Sequence, residues 1–220
     1  GSGNRRSSSP ATRTSSCSLQ TLPLLNAALA RRLAGPGELD LIHRQQAALE
    51  SMANLLNALL DITKLESGNI RPNLEVVPVA DVLADLQQQF EAVATARNLT
   101  LTIAPTSLCL RTDRILFRQV LQNLLNNALQ YTREGGVTVS FGEDATGFSI
   151  RIADTGVGIP APELDRVFDE YYRLDATCPR PRGFGLGLTI VRQISRLLGY
   201  TVKVESELGR GTTFALQVPA

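Results

Sequence analysis

The sequence predicts an α+β protein: a two-layer α/β sandwich preceded by an antiparallel helical hairpin. Three observations lead there. Apolar residues recur at three- and four-residue steps near the N-terminus and again after Asp113 and Leu188, the period of amphipathic helices. They alternate with polar ones at Val137, Val139 and Phe141, at Phe148, Ile150 and Ile152, and at Phe214, Leu216 and Val218, the period of half-buried strands. Helices and a mostly antiparallel sheet, segregated to two layers, make a sandwich. With 220 residues and 43% hydrophobic content, there is enough apolar material for one core and a smaller appendage.

Residues 1–18 are dominated by Ser, Thr, Arg and Pro, too polar to repay the entropy of ordering, so a flexible leader is expected. A helical hairpin follows over 19–66. Its first helix carries Leu22, Leu25, Leu29 and Leu33 on one face and stops at Gly35-Pro36-Gly37. Its second runs from about Leu39 to Glu66, with Leu49, Met52, Leu56, Leu59 and Leu60 among its apolar face. So thin a stripe must pack on something else. Either a second copy completes a four-helix bundle, making a homodimer, or the hairpin packs on its own C-terminal domain.

A linker over 67–73, with Gly68 and Pro72, leads into a globular domain over 74–220. Leu74–Val77 suits a short strand, and Pro78 opens a helix to about Arg97. Leu99–Ile103 and Leu108–Arg111 are further strand candidates, and Asp113 caps a helix to about Thr132. Two strands follow around a connection at Glu143–Gly147. The last elements are a helix from Leu188 to Leu198, ended by Gly199, and two strands around the turn Gly209-Arg210-Gly211.

Charge is balanced, 22 Lys+Arg against 21 Asp+Glu, and no basic run is interleaved with aromatics, so nucleic acid is not an expected partner. The three cysteines, Cys17, Cys109 and Cys178, are odd in number and far apart, which fits a reducing, cytoplasmic compartment rather than a disulfide framework. No apolar run approaches the roughly 20 residues that span a bilayer. No membrane contact is expected of these residues, and an anchor elsewhere in a longer protein stays open.

Chemistry concentrates between Asp154 and Leu188. Asp154 closes an apolar strand, where an unpaired carboxylate is expensive, and the exocyclic amine of a purine would suit it. Gly156 and Gly158 would let a ring lie against bare backbone. Gly183, Gly185 and Gly187 precede or begin a helix whose free N–H groups favour phosphate, with Arg173, Arg180 and Arg182 in the intervening loop. The spacing matches neither a Rossmann fingerprint nor a P-loop. Asn123 and Asn127, four residues apart on one helix face, offer amide oxygens to a hard cation such as Mg²⁺ beside phosphates.

Five ordered stretches resemble the N, G1, F, G2 and terminal glycine boxes of sensor histidine kinases. They are Asn123-Leu-Leu-Asn-Asn127-Ala-Leu-Gln-Tyr131-Thr, Asp154-Thr-Gly-Val-Gly-Ile-Pro160, Phe168-Asp-Glu-Tyr-Tyr-Arg173, Gly183-Phe-Gly-Leu-Gly-Leu188 and Gly209-Arg-Gly-Thr-Thr-Phe214. The resemblance implies the Bergerat ATP-binding fold shared with gyrase, heat-shock chaperone and mismatch-repair ATPases. It implies ATP and Mg²⁺ as cofactors, with Asn123 and Asn127 toward the metal and phosphates and Tyr131, Asp154, Gly156, Gly158 and Ile159 around the purine. Tyr172, Arg173, Gly183, Gly185, Leu186, Gly187 and Thr213 are further implied contacts, and about Leu174 to Arg182 an ATP lid. Leu56–Gly68 resembles the family's second dimerisation helix, so a homodimer and a response-regulator receiver domain as partner are also implied.

Two departures qualify that resemblance. The family's phosphoacceptor histidine precedes a stretch like Leu19-Gln20-Thr21-Leu22, and counting back without gaps places Arg13 at its position. A protonated guanidinium is no nucleophile toward ATP. The only histidine, His43, falls in the second helix, and Gln130 stands where a cation is common. Two functions remain open: a histidine-kinase core lacking its acceptor in this chain, or a pseudokinase-like module that dimerises and senses nucleotide without phosphorylating itself.

Overall fold

The computed structural model describes residues 70–144, 147–173 and 184–219, with positions 45, 49, 52, 53, 55, 56, 58–60, 62, 63 and 65. The leader, the first hairpin helix, Arg13, His43, Ser67–Asn69, the lid stretch and Gly183 lie outside the described residues. The chain divides into two compact units, Gly1–Asn54 and Leu55–Ala220. In the first, positions 45, 49, 52 and 53 are helical and exposed.

The second unit begins with helical positions between 55 and 65. Ile62 is buried in the core cluster, with Leu55, Ala58, Leu59 and Leu65 half-buried against it, whereas Leu56 and Leu60 face solvent. Seven strands and three α-helices follow: β1 (Glu75–Pro78), α1 (Val79–Ala96), β2 (Thr100–Ile103), β3 (Cys109–Thr112), α2 (Arg114–Tyr131), β4 (Gly136–Asp144), β5 (Gly147–Asp154), α3 (Gly187–Leu198), β6 (Thr201–Glu207) and β7 (Gly211–Pro219). A short 3₁₀ turn, Ala161–Glu163, follows β5.

Each helix starts or stops where local chemistry dictates. Pro78, with φ of −65°, precedes α1, whose buried face is Val79, Val82, Leu83, Leu86, Phe90 and Ala94. Asp113 Oδ1 accepts the N–H groups of Ile115 and Leu116, both at 3.0 Å, capping α2, while its Oδ2 accepts the Asn73 N–H at 2.9 Å. Gly199, at φ 76°, closes α3 in a left-handed conformation.

Five strands form one sheet in the order β2-β4-β5-β7-β6, antiparallel except for the parallel pair β2–β4. Val137, Val139, Ile150, Ile152, Phe214, Leu216 and Val218 are buried with the apolar faces of α1, α2 and α3, and α2 packs on both β5 and α3. This is the two-layer α/β sandwich expected. β1 and β3 instead pair with each other in a separate two-stranded sheet. A second difference is the β4–β5 connection: Glu143 and Asp144 belong to the ladder, out to the pair Asp144–Gly147. Backbone pairing there outlasts the apolar alternation, because strand ends in water need no buried side chains.

Candidate functional site

Asp154 ends the buried strand β5, and its carboxylate is held by backbone. Its Oδ1 accepts the N–H of Gly156 at 2.8 Å and that of Thr212 at 3.2 Å. No described residue donates to Oδ2. Burial pushes the carboxyl above its ordinary value, and the two amide bonds pull it partly back.

The loop after Asp154 is threaded between the end of α2 and the β6–β7 turn. Val157 donates its N–H to the Tyr131 carbonyl at 3.3 Å and accepts the Gly209 N–H at 2.8 Å. The Ile159 N–H goes to Ser206 Oγ at 2.8 Å, and that hydroxyl donates to the Gly211 carbonyl at 2.8 Å. A Cβ on Gly158, at φ 70°, would lie 2.1 Å from the Glu207 carbonyl oxygen, and one on Gly211, at φ 113°, would lie 1.9 Å from that of Asp154. Close approach of backbone to backbone therefore suffices to require glycine at both. The sequence places Gly211 and Thr212 in a turn and a stretch resembling the terminal glycine box, but not the contacts they or Ser206 make, because their partners are strands away.

A second cluster forms where α2 meets α3. Asn123 donates from Nδ2 to the Gln119 carbonyl at 2.9 Å, which turns the amide so that Oδ1 faces Gly187, where a Cβ would lie 3.2 Å from it. Leu186, the residue before α3, supplies no side-chain cap, so among the described residues no side chain caps the first-turn N–H groups of that helix. Asn127 lies half-buried one turn farther along α2.

The residues before and after 174–183 meet each other. A Cβ on Gly185, at φ 73°, would come within 2.7 Å of the Tyr172 carbonyl oxygen and 2.9 Å of the Tyr171 carbonyl carbon. The Tyr172 hydroxyl bonds the Glu163 carboxylate, while Arg166 stacks 4.5 Å from the Tyr172 ring centroid and pairs with Glu163 at 3.3 Å. Thr189 Oγ1 donates to the Phe168 carbonyl at 3.1 Å, and the Phe168 ring meets Phe214 edge-on at 6.2 Å.

Of the residues singled out in the sequence, Tyr131, Asp154, Gly156, Gly158 and Ile159 converge on one end of the site. Asn123, Tyr172, Gly185, Leu186 and Gly187 converge on the other. Arg173 is exposed beside the second group. Thr213 pairs by backbone with Ala153 and Glu205, and the residue that reaches the Asp154 carboxylate is its neighbour Thr212. Among the described residues no helix is long and apolar enough to cross a membrane.

Comparison with known proteins places this geometry. Residues 112–220 match the family of histidine kinase-, DNA gyrase B-, and HSP90-like ATPases. The aerobic respiration control sensor protein ArcB of Escherichia coli (strain K12) is 32% identical over 176 residues, covering 77% of this chain and 23% of its own. The sensor protein SrrB of Staphylococcus aureus (strain MRSA252) is 34% identical over 168 residues, 75% of this chain and 29% of its own. The chain thus spans about a quarter of the length of these curated relatives. Among solved structures, full-length ShkA in complex with AMPPNP superposes with a TM-score of 0.72 at 23% identity, covering 90% of this chain and 43% of that one. The Acinetobacter baumannii histidine kinase AdeS gives 0.69 at 20% identity, covering 91% and 96%. The chain belongs to the sensor histidine kinases, and it carries their ATP-binding catalytic core.

Proposed function

We propose that ATP lies along α2, with its adenine at Asp154 and its phosphates at the start of α3. The observation that carries this orientation is the Asp154 carboxylate: Oδ1 is held by the Gly156 and Thr212 amides, and Oδ2 is left to accept from an exocyclic amine. Asn123, Asn127 and Tyr131 follow at four-residue steps on α2, spanning about 12 Å from first to last at 1.5 Å per residue. That matches the reach of an extended nucleotide from base to phosphates. Tyr131 and Ile159 flank the purine, and the glycines at 185 and 187 let the phosphates approach the uncapped N-terminus of α3.

The Asn123 amide, oriented by Gln119 with its oxygen toward Gly187, fits a hard cation held among phosphates, and Asn127 is the second oxygen donor. Mg²⁺ held there would supply positive charge against that of the phosphates. Arg173, Tyr172 and Leu186 complete the phosphate end, and Thr213 supports the pocket through its strand. The wider reading keeps a leader over 1–18, a dimerising hairpin over 19–66, a linker over 67–73 and the ATP-binding domain over 74–220. A response-regulator receiver domain is the partner, and the cytoplasm is the compartment.

Arg13 favours a second feature: this chain binds Mg²⁺-ATP without phosphorylating itself on histidine. Incubation with γ-labelled Mg²⁺-ATP, alongside calorimetric binding, tests both parts. Bound nucleotide with no acid-labile label is expected. Acid-labile label on His43 would overturn the second part, and undetectable nucleotide binding the first. An Arg13→His chain then reports whether the core transfers phosphoryl when given an acceptor.

A further inference from the structure

The end of α2 is completed from outside the helix. A helix leaves its last four carbonyls without intrahelical partners, and α2 has no basic residue in its own last turn to meet them. The Ala128 carbonyl receives the N–H of Thr132 at 3.1 Å and its hydroxyl at 2.6 Å. The Leu129 and Gln130 carbonyls are taken by the guanidinium of Arg97, from Nη1 and from Nη2 at 3.4 Å respectively. The Tyr131 carbonyl receives the Val157 N–H at 3.3 Å. Arg97 Nη2 also reaches the Thr132 carbonyl at 3.3 Å.

Arg97 sits just past the end of α1, where its N–H bonds the Ala94 carbonyl and the chain turns through Asn98 at φ 54°. That turn aims its side chain at the negative end of the α2 dipole. One cation from a neighbouring helix thereby holds carbonyls on both sides of Tyr131, whose own carbonyl anchors the loop carrying Gly156 and Gly158.

We infer that Arg97 is a positioning residue for nucleotide binding: by capping the C-terminus of α2 it holds Tyr131 and, through the Val157 N–H, the purine loop in place. It touches no nucleotide itself. Without it the Leu129, Gln130 and Thr132 carbonyls turn to water and the last turn frays, and the fraying includes the Tyr131 carbonyl. The inference rests on the ATP-site reading above.

The test compares the parent chain with Arg97→Ala and Arg97→Lys, measuring Mg²⁺-ADP affinity by calorimetry and amide hydrogen exchange at Val157 and Ile152. Arg97→Ala is expected to bind about fivefold more weakly, which corresponds to about 1 kcal/mol. Its Val157 amide should exchange faster while Ile152, buried in β5, is unchanged. Arg97→Lys should recover part of both effects, because an ammonium can reach one of the carbonyls. Parental affinity with unchanged Val157 exchange overturns the inference, as does equal acceleration at Val157 and Ile152, the mark of a global loss of stability. If the parent chain does not bind Mg²⁺-ADP, the ATP-site reading fails alone, and Val157 exchange still decides what Arg97 does. Should Arg97→Ala not fold, Arg97→Gln takes its place in the same comparison.

Discussion

Asp154 Oδ1 accepts the N–H of Thr212, a residue on the adjacent strand β7, at 3.2 Å, and the N–H of Gly156 at 2.8 Å. Strand pairing thus aims the carboxylate. Asp154→Asn keeps an oxygen for these amides but sets an N–H₂ donor against the donor of adenine. Nucleotide affinity is expected to fall about 100-fold, in line with a lost charge-assisted hydrogen bond of about 2–3 kcal/mol, while Tm does not drop. Calorimetry and thermal melts on the same samples check both, and parental affinity would remove Asp154 from the pocket.

The same carboxylate predicts a pH dependence. Burial raises its pKa above the ordinary 3.8, with the Gly156 and Thr212 amides partly opposing. A raised acid binds its proton more tightly in the folded state. Its contribution to stability is therefore full below 3.8 and lost as pH rises through the folded value. Adenine binding runs the other way, since it needs the ionised form. Affinity for ADP should weaken on acidification before ordinary carboxylates titrate, and a pH series on Asp154→Asn should lack that limb.

Two glycines with similar φ separate backbone strain from crowding. Gly199, at φ 76°, has nothing within 4 Å of its missing Cβ, so Gly199→Ala should cost only the left-handed strain, roughly 1–2 kcal/mol. Gly158, at φ 70°, has the Glu207 carbonyl at 2.1 Å, so Gly158→Ala adds displacement of backbone and should cost roughly 2–5 kcal/mol. Only the second should also reduce nucleotide binding. Denaturant titration and nucleotide binding on both variants test the contrast.

Asn123→Ala removes an oxygen without adding charge. Binding of ATP in Mg²⁺ should weaken by about tenfold, or about 1.4 kcal/mol, while binding of ADP in chelator changes little. An equal loss with and without Mg²⁺ would assign Asn123 to the helix rather than to the metal.

Much of the chain was legible because its signals are short-range. The Asp113 cap, the Pro78 start of α1, the Gly199 stop and the alternation in β4, β5 and β7 each depend on residues a few positions apart. Asn123, Asn127 and Tyr131 share a face through the helical period alone. The segregation of β1 and β3 into their own sheet was not legible, since either would satisfy the same local pattern inside the main one.

By itself the sequence determined the elements, their order and the residue types available to a nucleotide. Tertiary structure decided how they meet. The strand order β5-β7-β6 brings Thr212 to Asp154 and Glu207 to Gly158, so glycines that suggest a ligand also serve backbone packed on backbone. The end of α1 brings Arg97 to carbonyls more than a helix away in sequence. Hydrogen-bond partners across such separations leave no local period, because they are selected by sheet order and helix packing rather than by the spacing of neighbouring residues.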